Sequence, residues 1–93
     1  MRAIFFTTQY KKDLKLALKR NLPEEKLNEV IKKLAQDIQL PEANLDHPLK
    51  GQYKGCRECH IQPDYWLLIY SKEDRINLLS LVRTGTHSDL FEK

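Results

Sequence analysis

Tyr65-Trp66-Leu67-Leu68-Ile69-Tyr70-Ser71 decides the fold. The run is apolar at odd and even positions alike. A strand built from it has no face to give to water and belongs in the middle of a sheet covered on both sides. Cys56 to Ile61 reads as a strand just before it. Ser71-Lys72-Glu73-Asp74 reads as a polar hairpin connection, leading to a third strand from Arg75 to Arg83, rich in Leu and Ile. The segment Thr84-Gly85-Thr86-His87-Ser88-Asp89-Leu90-Phe91 is too polar for more sheet and is expected to close as a turn of helix.

The first half of the chain supplies the cover. Ala3 to Thr7 is a short, β-branched and apolar strand, and Thr7 or Thr8 is placed to cap a helix from about Gln9 to Arg20. Tyr10, Leu14, Ala17 and Leu18 recur at i, i+4, i+7 and i+8, which is one helix face. Lys11, Lys12, Lys15, Lys19 and Arg20 occupy most of the remaining surface, with Asp13 as the one acid among them. That basic run is either a solvated face or an electrostatic footprint for RNA phosphates. Asn21-Leu22-Pro23-Glu24-Glu25 turns into a second helix, with Pro23 suited to its first position and two glutamates complementing its N-terminal dipole. Leu27, Val30, Ile31, Leu34, Ala35 and Ile38 form its apolar stripe. Gln39 to Lys54 is a loop broken by Pro41, Pro48 and Gly51. The order β-α-α-β-β-β describes one α+β domain over residues 1–93, with the helical hairpin on one face of the sheet.

With 93 residues, a single modest core is expected. Sixteen Lys plus Arg against 13 Asp plus Glu leave +3, so where the charge sits matters more than its sum. No stretch approaches the roughly 20 apolar residues of a membrane span. The opening Met1-Arg2-Ala3-Ile4-Phe5-Phe6 is too short an apolar run for a signal peptide, and a cytoplasmic location is expected. In that compartment Cys56 and Cys59 are expected as thiols.

Cys56-Arg57-Glu58-Cys59-His60 matches the C-x-x-C-H pattern of covalent haem attachment. The context speaks against it. Such attachment requires export, the only methionine is Met1, and strand parity sends the two cysteines to opposite faces. The same parity disfavours a zinc site, although His47, His60 and His87 are further possible ligands. No metal or other cofactor is expected, and the cysteines read as small semi-buried side chains.

All three histidines fall in the second half, each at a strand end or in a loop. Cleavage of RNA through the ribose 2′-hydroxyl needs a base, an acid and a cation for the charge that builds at phosphorus. Histidine serves both proton roles near neutral pH. Arginine brings permanent charge and a fork of donors for phosphate oxygens. The candidates are His60 or Asp64 with His87 for protons, Arg83 for phosphate, and Phe91 or Tyr65 for stacking a base.

Asp46-His47-Pro48-Leu49-Lys50-Gly51-Gln52-Tyr53-Lys54-Gly55, then Arg57, His60-Ile61-Gln62-Pro63-Asp64, Leu68-Ile69-Tyr70 and Arg83-Thr84-Gly85-Thr86-His87-Ser88-Asp89-Leu90-Phe91 together resemble the YafQ branch of the RelE/ParE toxin superfamily. The resemblance implies a RelE-like fold: an antiparallel-rich twisted sheet with an N-terminal helical hairpin packed on one face. It also implies a metal-independent endoribonuclease that cuts mRNA in the ribosomal decoding site and is held inactive by a cognate antitoxin. The toxin–antitoxin complex would bind operator DNA; no membrane partner is implied. Carried onto this chain, the catalytic set is His47, His60, Asp64 and His87, with Arg83 at the phosphate and Phe91 near the base. Lys11, Lys12, Lys15, Lys19 and Arg20 would face ribosomal RNA, with Lys50, Lys54 and Tyr65 as further RNA contacts. Two departures stand out, and one of them is a slightly longer hairpin after the apolar strand. Tyr65-Trp66 places two aromatics and one extra residue after Asp64, which leaves open which of them faces the site; Trp66 also reads as core. Within the same superfamily, a ParE-like protein that inhibits DNA gyrase by binding it would not need the histidine and Asp set. An inert binding module of the same fold is a third reading.

Overall fold

The computed structural model describes residues 1–61 and 66–91. Its elements run β1 (Ala3–Phe6), α1 (Thr8–Lys19), α2 (Glu24–Ala35), β2 (His47–Pro48), β3 (Arg57–Ile61), β4 (Trp66–Glu73), β5 (Leu78–Thr86) and α3 (His87–Phe91). The strands form one sheet in the order β1-β5-β4-β3-β2. β1 pairs with β5 in parallel, and every other pair is antiparallel. The α+β expectation holds, with the apolar run of β4 at the centre of the sheet.

Its two faces are covered separately. Trp66, Leu68 and Tyr70 of β4, with Cys59, Ile61, Leu79 and Leu81, pack against Tyr10 and Ala17 of α1 and Leu27, Val30, Ile31, Leu34 and Ala35 of α2. Leu67 and Ile69 point the other way and lie under Leu49, Tyr53, Cys56, Val82 and Leu90. Fully burying a Leu or Ile contributes about 1.5–3 kcal/mol, and β4 places residues on both sides at essentially no exposure. A strand with one polar face would have left one of these layers without support.

α1 starts where expected: Thr7 Oγ1 accepts the backbone N–H of Tyr10 at 3.0 Å and donates to the Leu81 carbonyl at 2.9 Å. The cap therefore also ties the helix to the sheet. Pro23 sits one position earlier than expected, at the N-cap of α2. α2 ends at Ala35, and Asp37 takes a left-handed φ of 58°. Ile38 consequently leaves the stripe and is 48% exposed, and Leu18 of α1 is 37% exposed. In α2 the helix-period pattern ran past the point where the backbone turns.

Three strand boundaries also differ from the sequence reading. Ser71 to Glu73 belong to β4, and the turn is made by Asp74–Ile76 with Asn77 left-handed. Asn adopts that conformation at low cost, so β5 starts at Leu78 instead of Arg75. At its other end β5 continues through Thr84, Gly85 and Thr86, which pair with Leu68, Leu67 and Trp66. Their polarity did not exclude them, because Thr is a good strand former and a neighbouring strand satisfies the backbone. β2 is a two-residue strand inside the expected loop, paired with Glu58 and Arg57.

Candidate active site

The site is made by a defect in the sheet. Along β5, Leu81 pairs with Tyr70 and faces the helices, but Arg83 pairs with Ile69, leaving Val82 as an extra residue. Strict alternation would put Arg83 in phase with Leu81, inside the core. The bulge turns it onto the opposite face, a common use of such irregularities. There the guanidinium donates Nε–H to Asp13 Oδ2 at 2.7 Å and Nη2–H to Asp13 Oδ1 at 3.0 Å. Nη1 donates to the Tyr53 hydroxyl at 3.3 Å. The Asp13 carboxylate holds the Arg83 charge more firmly than usual, the Tyr53 hydrogen bond adding to it against the cost of burial.

α3 completes the hollow. Thr86 and Asp89 form a reciprocal cap: the Thr86 N–H donates to Asp89 Oδ2 at 3.0 Å and the Asp89 N–H to Thr86 Oγ1 at 3.3 Å. Gly85 allows this helix to lie close, since a Cβ there would stand 3.0 Å from the Asp89 Cβ. His87 opens α3 with its ring 4.9 Å from that of Phe91, and Phe91 meets Tyr53 edge-on at 6.1 Å. Asp13, Arg83, Tyr53, Phe91 and His87 thus form one contiguous chain of contacts. Lys50, Gln52, Tyr53, Arg83, Asp89, Leu90 and Phe91 line a concavity of about 350 Å³.

Asp89 has a consequence in acid. The Thr86 backbone N–H, more than the Thr86 hydroxyl and Arg20, holds its carboxyl below the usual carboxylate value of 3.8. A carboxyl with a depressed folded-state value stabilises the fold at pH above about 4 and loses that contribution as pH falls through the folded value. Carbon-detected titration of Asp89 is expected to give a midpoint below 3.8. A midpoint at or above that value would show that the cap on α3 does not form.

His47 and His60 lie on the same sheet face as Arg83, by register. His60 pairs with Leu67, and Leu67 with Gly85. His60 and Gly85 are therefore two strands, or about 10 Å, apart. His47 pairs with Glu58, and its Nδ1 lies 2.8 Å from the Leu45 carbonyl and its Nε2 3.3 Å from Glu58 Oε1. A carbonyl only accepts, so a hydrogen bond to Leu45 is made by the Nδ1–H tautomer. Glu58 Oε2 is buried and has no hydrogen-bond partner among the described residues. Asp64 and Tyr65 lie outside the described residues.

The basic candidates divide. Lys11, Lys12, Lys15, Lys19, Lys50 and Lys54 are exposed. Arg20 is exposed as well, and it also binds Asp89 at 2.9 Å and lies 5.7 Å from the Trp66 ring centre, which helps to dock α1 against α3 and β4. Trp66 is 3% exposed and belongs to the core under the helices. The cysteines lie on opposite faces of the sheet, Cys59 in the helix-side core and Cys56 in the other layer. Burial pushes both thiols up. Sequence reasoning missed Asp13, Tyr53, Glu58 and Asp89 as parts of this surface. Alternation alone puts Glu58 on the face of His60, and a lone acid in a basic helix marks Asp13 as unusual; Tyr53 and Asp89 carried no separate signal.

Comparisons with known proteins bear on the family and the fold. The profile of a family described as "Bacterial toxin of type II toxin-antitoxin system, YafQ" matches residues 2–92. A curated relative, the mRNA interferase toxin YafQ of Escherichia coli strain K12, is 45% identical over 97% of this chain and 96% of its own. The YafQ chain in the E. coli DinJ–YafQ complex superposes with a TM-score of 0.86 at 41% identity, over 98% of this chain and 99% of that one. A metal-bound toxin from Helicobacter pylori gives 0.89, also at 41% identity, over 98% and 100%. In the present chain, no group of three or more His, Cys, Asp or Glu side chains is placed to hold a metal ion among the described residues. No helix among them is long and apolar enough to cross a membrane.

Proposed function

The chain belongs to the YafQ family of bacterial type II toxin–antitoxin toxins, and from that premise we propose that it is an mRNA interferase, a ribosome-dependent endoribonuclease acting through its own side chains. The observation that carries this reading is the bulge in β5, which sets Arg83 on the sheet face shared by His47 and His60 and beside Tyr53, Phe91 and His87. Arg83 supplies permanent charge where the pentavalent phosphorus develops negative charge. In the proposed step the 2′-hydroxyl loses its proton to a base and its oxygen attacks the adjacent phosphorus. The bond to the 5′-oxygen breaks, and an acid returns a proton to that oxygen. His60, His47 and His87, with Asp64, are the groups that exchange these protons. They share one phosphate, so their protonation steps belong to the cluster as a whole. Phe91 and Tyr53 offer aromatic surface for an unstacked base, a contact worth about 1–3 kcal/mol.

The exposed lysines of α1, with Lys50 and Lys54, would draw the toxin to ribosomal RNA. A DinJ-like antitoxin would hold it inactive, and the resulting complex would bind operator DNA. With such partners it would act in the cytoplasm. The test is primer extension on mRNA incubated with the purified toxin, with and without ribosomes. Cleavage is expected only with ribosomes present, and is expected to persist when the toxin has first been stripped with a chelator that is removed before the magnesium-containing ribosomes are added. Intact mRNA under all conditions, or inhibition of gyrase supercoiling in a parallel assay, would overturn the proposal.

A further inference from the structure

Asp13 is the single acid of α1, among exposed Lys11, Lys12, Lys15 and Lys19. An outward carboxylate there would weaken attraction to RNA phosphates. The side chain faces inward and is 9% exposed. It accepts four hydrogen bonds: Gln9 Nε2 at 3.0 Å, the Thr84 N–H at 3.2 Å, Arg83 Nε at 2.7 Å and Arg83 Nη2 at 3.0 Å. Fastening α1 to the edge of β5 needs only the bond to Thr84. The other half of the carboxylate's capacity is committed to one guanidinium.

That commitment determines what Arg83 can offer. A guanidinium has five N–H groups. Asp13 occupies the Nε–Nη2 edge, and the Tyr53 hydroxyl takes one hydrogen of Nη1. Among the described residues two N–H groups remain, one on each terminal nitrogen, enough for two oxygens of one phosphate. Pairing with Asp13 reduces the net charge of the site but removes the rotational freedom of a long side chain. Catalysis gains more from a fixed geometry than from a loosely held charge.

We propose that Asp13 is a positioning residue of the catalytic site, contributed by α1, which holds the Arg83 fork so that its terminal edge meets the scissile phosphate. The inference rests on the mRNA-cleavage reading above. Asp13→Asn preserves shape but turns an amide nitrogen toward a donor and breaks the two-point clamp. In single-turnover cleavage of ribosome-bound mRNA it is expected to lower the rate roughly 10–100-fold. The ribosome concentration giving half-maximal rate should change by less than about twofold, because the exposed lysines that dock the toxin are untouched. In an Arg83→Lys background, where no fork exists to be held, Asp13→Asn is expected to cost less than about twofold further.

A folded Asp13→Asn protein that cuts at the wild-type rate would overturn the proposal. So would an equal loss in both backgrounds, which would make Asp13 a structural tie alone. A second measurement does not depend on any variant or on cleavage. In the wild-type protein the Arg83 Nε–H is expected as a slowly exchanging nitrogen-15 NMR signal, and its absence would disprove the clamp. If the wild type fails to cut mRNA while that signal is present, the assigned activity fails and the clamp stands.

Discussion

Replacing His87 with alanine is expected to slow mRNA cleavage by roughly 10²–10⁴-fold, the contribution of one general acid or base, while leaving the fold intact. His87 is exposed at the start of α3, and the cap of that helix is made by Thr86 and Asp89. Removing the imidazole costs a ring contact with Phe91 but no buried surface, so the thermal midpoint should change little. In cells, induced expression of the variant should no longer arrest growth. Single-turnover cleavage on ribosomes, with thermal unfolding beside it, separates lost chemistry from lost structure. A variant that folds and cuts within about threefold of wild type would remove His87 from the proton-transfer set. Combining it with His60→Ala is expected to cost far less than the product of the two losses, because residues that act as a unit are strongly non-additive.

Trp66→Ala is expected to act in the opposite way, on stability before chemistry. The indole is 3% exposed in the core between β4 and the helices, with Arg20 stacked over it. Truncating a buried Trp or Phe costs about 3–5 kcal/mol. A domain of this size has about 5–15 kcal/mol in total, so the melting temperature should fall by more than about 10 °C. Loss of the Arg20–Trp66 contact also loosens the docking of α1 against α3, which carries Asp89 and the His87–Phe91 pair. Circular dichroism melting is the measurement. A variant that keeps the wild-type midpoint but loses cleavage would place Trp66 at the RNA rather than in the core.

Much of the architecture was legible in local chemistry. The unbroken apolar run 66–70 could only be a strand covered on both sides. Thr7 announced a helix start, and the period of Leu27, Val30, Ile31 and Leu34 announced a packed face. Boundaries were less legible, because a pattern shows which side of an element is apolar and not where the backbone turns. Ile38 continued the stripe, yet Asp37 had already reversed the chain. Thr84 and Thr86 looked too polar for sheet, yet Trp66 and Leu68 lay opposite to pair with them.

For the site, sequence determined which side chains with useful chemistry exist, and resemblance proposed their roles. Their arrangement came from long-range contacts. Arg83 reaches its face only because Val82 is an extra residue in the ladder between β4 and β5, and a one-residue bulge leaves no mark on composition or period. Asp13 meets Arg83 across 70 positions, and Glu58 meets His47 through a two-residue strand hidden in a loop. Local propensity is a property of neighbours along the chain. Charge pairing, burial and the aim of a guanidinium depend on neighbours in space, and only the folded sheet supplies those.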